Sequence, residues 1–162
     1  VYKNEFIIQR EQYIDLIKKI AGCLASDGKY HEAEGLYSDL MKIKQVKYRP
    51  EHSSTLASMA SLASTYRKQG RWNGAEKLFV QVIERRKTVL GAEHPYTLTS
   101  MANLASTWKF QGKVQDALAL MEKFSELHNK ILRPNHPGTR SASRTLSNWK
   151  DVHIHYETKH PK

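Results

Sequence analysis

Residues 51–70 read EHSSTLASMASLASTYRKQG, and residues 93–112 read EHPYTLTSMANLASTWKFQG. Thirteen of the twenty aligned positions are identical, and the offset between the two stretches is 42 residues. A fixed period of a few tens of residues marks an array of stacked supersecondary units, each unable to bury its apolar face alone. Sliding back by one period from Ala63, Gly70, Ala75 and Leu78 lands on Ala21, Gly28, Ala33 and Leu36. Sliding forward from His94, Pro95, Thr97 and Leu104 lands on His136, Pro137, Thr139 and Leu146. The chain therefore divides into a leading segment (1–9), repeats over 10–48, 51–90 and 93–132, and a partial fourth unit or capping helix with a tail (135–162).

Within each repeat the apolar residues have helical spacing. Leu56, Met59, Leu62, Ala63 and Tyr66 recur at three and four residues, and Ala75, Leu78, Phe79, Val82 and Ile83 do so after a break at Gln69-Gly70-Arg71. Two antiparallel helices per repeat follow, all-α throughout. The glycines at 28, 70 and 112 fall where the first helix must stop, and glycine takes a left-handed helix end without steric cost. Pro95 and Pro137 fall in the first turn of the next helix, where a missing N–H is harmless. Ala21, Ala63 and Ala105, facing Ala33, Ala75 and Ala117, let the paired helices approach closely, and Tyr37, Phe79 and Met121 fill the space beyond. The leading segment is expected to cap or extend the first helix.

Composition excludes several classes. The 162 residues are 40% apolar, enough for a folded core. No apolar run approaches the roughly 18 residues of a spanning helix, and the amino end lacks the pattern of a secretory signal. The absence of an initial Met reads as a piece of a longer protein. A single cysteine, Cys23, rules out an internal disulfide framework and fits a reducing, cytoplasmic setting. Twenty-six Lys and Arg against sixteen Asp and Glu leave a net charge of +10, which favours an acidic partner surface.

The chemistry-bearing residues are read as structural. Cys23 aligns with Thr65 and Thr107, has no histidine placed to activate it, and is expected to be a packing residue. His52, His94 and His136 are one repeat apart, too far to share a zinc ion, and read as junction residues. His153 and His155, two apart on a helix, point to different sides, and His160 lies in the tail. No phosphate cradle or paired acids appear, so neither an enzyme nor a cofactor is expected.

The set Leu62, Ala63, Tyr66, Gly70, Ala75 and Phe79, returning as Leu104, Ala105, Trp108, Gly112, Ala117 and Met121, resembles the tetratricopeptide repeat. The period of 42, the junction Gly91-Ala92-Glu93-His94-Pro95 and the run Met101-Ala102-Asn103-Leu104-Ala105 resemble the kinesin light chain type, and are similar to repeat arrays of fungal nucleotide-binding receptor proteins. The first repeat departs from the pattern at Leu24, where an aromatic belongs. The fourth departs at Arg140, in place of leucine, and Lys150, in place of the aromatic, as suits a polar end cap.

The resemblance implies a right-handed α-solenoid whose first helices line an inner groove. The matching positions are Lys18, Lys19, Gly22 and Ser26 in the first repeat and Ala60, Ser61, Ser64, Arg67 and Lys68 in the second. Ala102, Asn103, Ser106, Lys109 and Phe110 follow in the third, and Arg144, Thr145, Asn148 and Val152 in the fourth. Asn103 is expected to hydrogen-bond the backbone of an extended peptide, since its amide offers both donor and acceptor. Arg85 and Arg86 are placed on the outer helices, away from the ligand. The expected role is a non-catalytic module that binds an acidic peptide or protein segment in a basic groove. The alternatives are a structural or self-associating repeat region of such a receptor, through open solenoid ends, and, least favoured, a nucleic-acid binder. Between the second and third repeats the last twenty positions share only four identities, so the first helices are the part kept alike.

Overall fold

Glycine sets the stops. Gly28, Gly70 and Gly112 have φ of 79°, 75° and 78°, the left-handed region that other residues avoid. Just beyond each, the same closing bond forms at 2.9 Å: Lys29 N–H donates to the Leu24 carbonyl, Arg71 N–H to that of Tyr66, and Lys113 N–H to that of Trp108. These are the six-to-one bonds of a glycine-terminated helix, and they satisfy carbonyls that the helix end would leave bare.

The computed structural model describes the backbone of residues 2–131 and 137–159, and the side chains of 11–131, 140–155, 158 and 159. Among these residues there are seven helices: α1 (Tyr2–Ser26), α2 (Tyr30–Lys47), α3 (Ser53–Lys68), α4 (Trp72–Leu90), α5 (Pro95–Phe110), α6 (Val114–Ile131) and α7 (Pro137–Lys159). The leading segment extends α1 back to Tyr2. His136, His160 and the side chains of Pro137 and Thr139 lie outside the described residues.

The junction histidines turn out to be helix caps. His52 and His94 precede α3 and α5 in extended conformation, and the Nδ1 of each accepts a hydrogen bond at 3.2 Å, from Ser54 N–H and Tyr96 N–H respectively. A neutral imidazole here fills the role more often given to Ser or Asp. Pro95 supplies the first residue of α5.

The architecture is that of an α-solenoid, antiparallel helix pairs in succession, and it divides into two compact units, Val1–Leu78 and Phe79–Lys162. In the first, α2 packs on both α1 and α3. Its core joins Ile14, Ile17 and Ala21 of α1 to Ala33, Tyr37 and Leu40 of α2 and Leu62 of α3. In the second, α6 packs on both α5 and α7. Met101, Leu104 and Ala105 of α5 and Ala117 and Met121 of α6 are buried there, with Phe79 and Val82 of α4. All six alanines of the small-residue rows are fully buried, which fixes the close approach within each pair.

Two expectations fail on burial. Cys23 is exposed, not packed, although Thr65 and Thr107 at the same repeat position are buried. Among the described residues no helix lies before α1 to cover that face. Arg86 is buried, not on an outer surface: its guanidinium donates to the Tyr96 carbonyl at 2.8 Å and to Ser100 Oγ at 2.6 Å, tying α4 to α5. It falls three residues after Ile83 and four after Val82, on the apolar stripe itself.

Candidate functional site

The first-helix positions singled out by sequence are distributed over both units and differ in environment. In the first unit, Lys18 and Lys19 of α1 are exposed, as is Lys68 of α3. Ser61 and Ser64 are half-buried on α3. Ser61 is already engaged, because the Tyr37 hydroxyl hydrogen-bonds to it. Burial pushes the Tyr37 phenol above its ordinary value, and the Ser61 bond pulls it partly back. Gly22 on α1 leaves room for the same hydroxyl, since a Cβ there would stand 3.8 Å from it.

Arg67 differs from its lysine neighbours. Its side chain is half-buried, its Nε is sealed from solvent, and among the described residues that nitrogen has no hydrogen-bond acceptor. Burial holds its guanidinium below the ordinary arginine value. A desolvated donor without an acceptor costs free energy that a carboxylate would recover.

In the second unit, Asn103 is half-buried on α5. Its backbone carbonyl accepts from Thr107 Oγ1 at 2.8 Å, and among the described residues its carboxamide has no partner. Ser106 donates back to the Ala102 carbonyl at 3.0 Å. On α7, Arg144 and Asn148 are exposed, and Thr145 Oγ1 donates to the Ser141 carbonyl. Phe110, the last residue of α5, is 60% exposed.

Lys109 is not a free-standing charge. Its ammonium sits 4.6 Å from the centroid of the Trp149 ring, a cation–π contact that joins α5 to α7. Beneath it, Val114, Leu118, Trp149 and Val152 line a largely apolar cavity of about 370 Å³. The sequence reading passed over Trp149, which occupies the repeat position of Thr65 and Thr107. An indole where two repeats have threonine was the available signal. At the far side of the cavity His153 meets Gln115, 2.6 Å between side-chain nitrogens. Lys150, the departure from the aromatic pattern, pairs with Glu122 of α6 at 2.6 Å.

Among the described residues no group of His, Cys, Asp and Glu could hold a metal ion, and no helix is long and apolar enough to cross a membrane. What remains at these positions is hydrogen-bonding and cationic capacity on first helices.

Repeated antiparallel helix pairs with glycine stops, alanine contacts and a 42-residue period define a helical-repeat protein. The tetratricopeptide repeat profile matches residues 55–96 and 97–138, and the chain belongs to that family. Its fold is similar to the crystal structure of the nearly identical TPR-like repeats of a Podosopora anserina protein assigned to the kinesin light chains, at 30% identity and a TM-score of 0.78. That alignment covers 85% of this chain and 65% of the other, so the chain spans just under two thirds of that relative. A variant of those Podosopora anserina repeats, carrying one methionine in place of a glutamine, aligns at 25% identity and a TM-score of 0.74, covering 93% and 77%. BtubC (BKLC) from P. vanneervenii shares the fold, with a TM-score of 0.76 over 87% of this chain and 56% of its own, at 19% identity. No curated protein matches the sequence significantly.

Proposed function

We propose that this protein–protein interaction scaffold binds an extended, acidic segment of a partner protein along its first helices, without catalysis. In the first unit the ligand meets Lys18, Lys19, Ser64, Arg67 and Lys68. In the second it meets Asn103, Ser106, Lys109, Phe110, Arg144 and Asn148. The observation that carries the reading is Arg67: a half-buried guanidinium with a sealed, unpartnered Nε is a site kept ready for an anion. The net charge of +10 would draw such a ligand in, and the Asn103 carboxamide would hold its backbone.

The test uses short fluorescent peptides rich in Asp and Glu, with Lys-rich peptides as controls, at two salt concentrations. Arg67→Met is expected to weaken acidic-peptide binding by about tenfold or more while leaving the melting temperature unchanged or raised, because the folded protein gains nothing from that buried charge. Lys68→Glu is expected to slow association and flatten the salt dependence, whereas Asn103→Ala speeds dissociation. Wild-type binding by all three variants, with loss of binding in Arg85→Glu on the second-helix side, would place the ligand elsewhere and end this reading.

A further inference from the structure

Helix α1 carries an apolar stripe that has no counterpart on the other first helices. Tyr13, Leu16 and Ile20 are 60%, 53% and 43% exposed, and Cys23 continues the line. One repeat on, the same positions are Thr55, Ser58, Leu62 and Thr65, and two repeats on they are Thr97, Ser100, Leu104 and Thr107. All eight are at most 4% exposed. The opposite face of α1 behaves like its relatives, since Ile14, Ile17 and Ala21 are buried as Leu56, Met59 and Ala63 are.

The two internal joints show what covers this face when it is covered. On α3 the cover is α2, with Thr55 Oγ1 donating to the Lys44 carbonyl. On α5 the guanidinium of Arg86 reaches Ser100. Both joints use Thr and Ser, small residues that let the helices close up and exchange hydrogen bonds. In α1 Tyr replaces Thr, Leu replaces Ser, and Cys replaces Thr. A joint of the internal kind would be overpacked by Leu16 and would lose its hydroxyls. The face is therefore built for a different contact. Its spacing of three, four and three residues is the seam of a two-helix coiled coil, in which larger apolar side chains interlock. Charge points the same way. The chain is +10, but α1 holds four basic and three acidic residues, so it is where two copies repel each other least.

We propose that the Tyr13–Leu16–Ile20–Cys23 face of α1 is a homodimer interface, pairing with α1 of a second copy about a two-fold axis. Such an interface is isologous, the same patch meeting itself. It leaves the first-helix residues of α3, α5 and α7 to other ligands.

Sedimentation of the whole chain across a wide concentration range gives the mass, and alkylation of Cys23 reports the cover. The mass is expected to rise to that of a dimer, with Cys23 alkylation slowing by about tenfold over the same range as the thiol loses access. Leu16→Glu and Ile20→Asp are expected to restore the monomer and fast alkylation with an unchanged melting temperature, because both side chains face solvent in the single chain. A monomer at every concentration overturns the proposal. So does a dimer that survives both substitutions with Cys23 still reactive. Protection of Cys23 in the monomer by a peptide of residues 30–47 would assign the face to a further repeat helix and overturn it equally.

Discussion

Lys44 and Arg86 stand one period apart on second helices, both buried, and they solve the same problem with different success. Arg86 forks onto two acceptors, the Tyr96 carbonyl and Ser100 Oγ, with its guanidinium 5.5 Å from the centroid of the Tyr96 ring. Burial lowers its affinity for the proton, but every direction of the fork finds use. Lys44 has no hydrogen-bond acceptor for its ammonium among the described residues. Burial, then the nearby Lys18 charge, press its pKa below the ordinary value, and Asp15 only partly offsets them. A planar fork can tie a helix to its successor at this depth, and a point charge on a flexible stem cannot. In the third repeat the position is His128, half-buried beside Phe124 at 5.3 Å between ring centroids. The repeat thus fixes where a polar head must sit and leaves its chemistry open.

The largest expected consequence is at Arg86. Arg86→Met removes the donors that Ser100 and the Tyr96 carbonyl rely on, and it is expected to cost about 2–3 kcal/mol, read by chemical denaturation. Arg86→Lys is expected to recover only part of this, because one ammonium cannot reproduce the fork. If Arg86→Met and Lys44→Met prove equally mild, the two sites do not differ as described.

A smaller effect distinguishes the threonines that close the same joints. Thr97 Oγ1 donates to the Gly91 carbonyl at 2.9 Å, whereas Thr55 Oγ1 is shared between the Lys44 and Arg49 carbonyls, each at 3.3 Å. Thr97→Val is expected to cost about 1 kcal/mol and Thr55→Val less, since a long, divided bond is weaker than a short, single one. Equal losses in thermal melts of the two variants would erase that distinction.

Residue type and spacing made the frame legible. Gly28, Gly70 and Gly112 end helices because only glycine enters that conformation freely, and the alanine rows are buried because nothing larger fits. Those constraints are local, or repeat with the period, so one sequence displays them. Arg86 was misplaced because charge was weighed above register, although its place on the Val82–Ile83 stripe was visible. Cys23 could not be read, because its burial depends on whether another helix covers it and not on its own neighbours. Of the proposed ligand positions, the sequence supplied register and charge, but not that Tyr37 engages Ser61, that Lys109 rests on Trp149, or that Arg67 is unpartnered. Those contacts join residues 24 and 40 positions apart, or turn on what is missing around a side chain, and no spacing rule encodes them. The histidine caps at 52 and 94 were visible as junction residues, but their Nδ1 bonds depend on backbone that becomes extended only when the helix forms.

The smallest effect at neutral pH, and the most specific, belongs to Lys44. Its folded pKa is depressed, so between that value and the ordinary 10.5 the unfolded chain binds more protons than the folded one. Stability then rises with pH through that window, as linkage requires, and the gain is lost again as pH falls through the folded pKa. Lys44→Met removes the titrating group. The variant is expected to lie within about 1 kcal/mol of wild type at pH 7, on the stabilised side, because an apolar side chain carries no desolvation cost there. Its advantage should then shrink as pH climbs toward 10.5, where the wild-type lysine sheds its proton on folding. Urea denaturation of both proteins at a series of pH values measures the difference directly, and tyrosine ionisation, common to both, cancels. A difference that stays constant across the window, or one that grows, would mean that the Lys44 ammonium is held by an acceptor as good as those of Arg86.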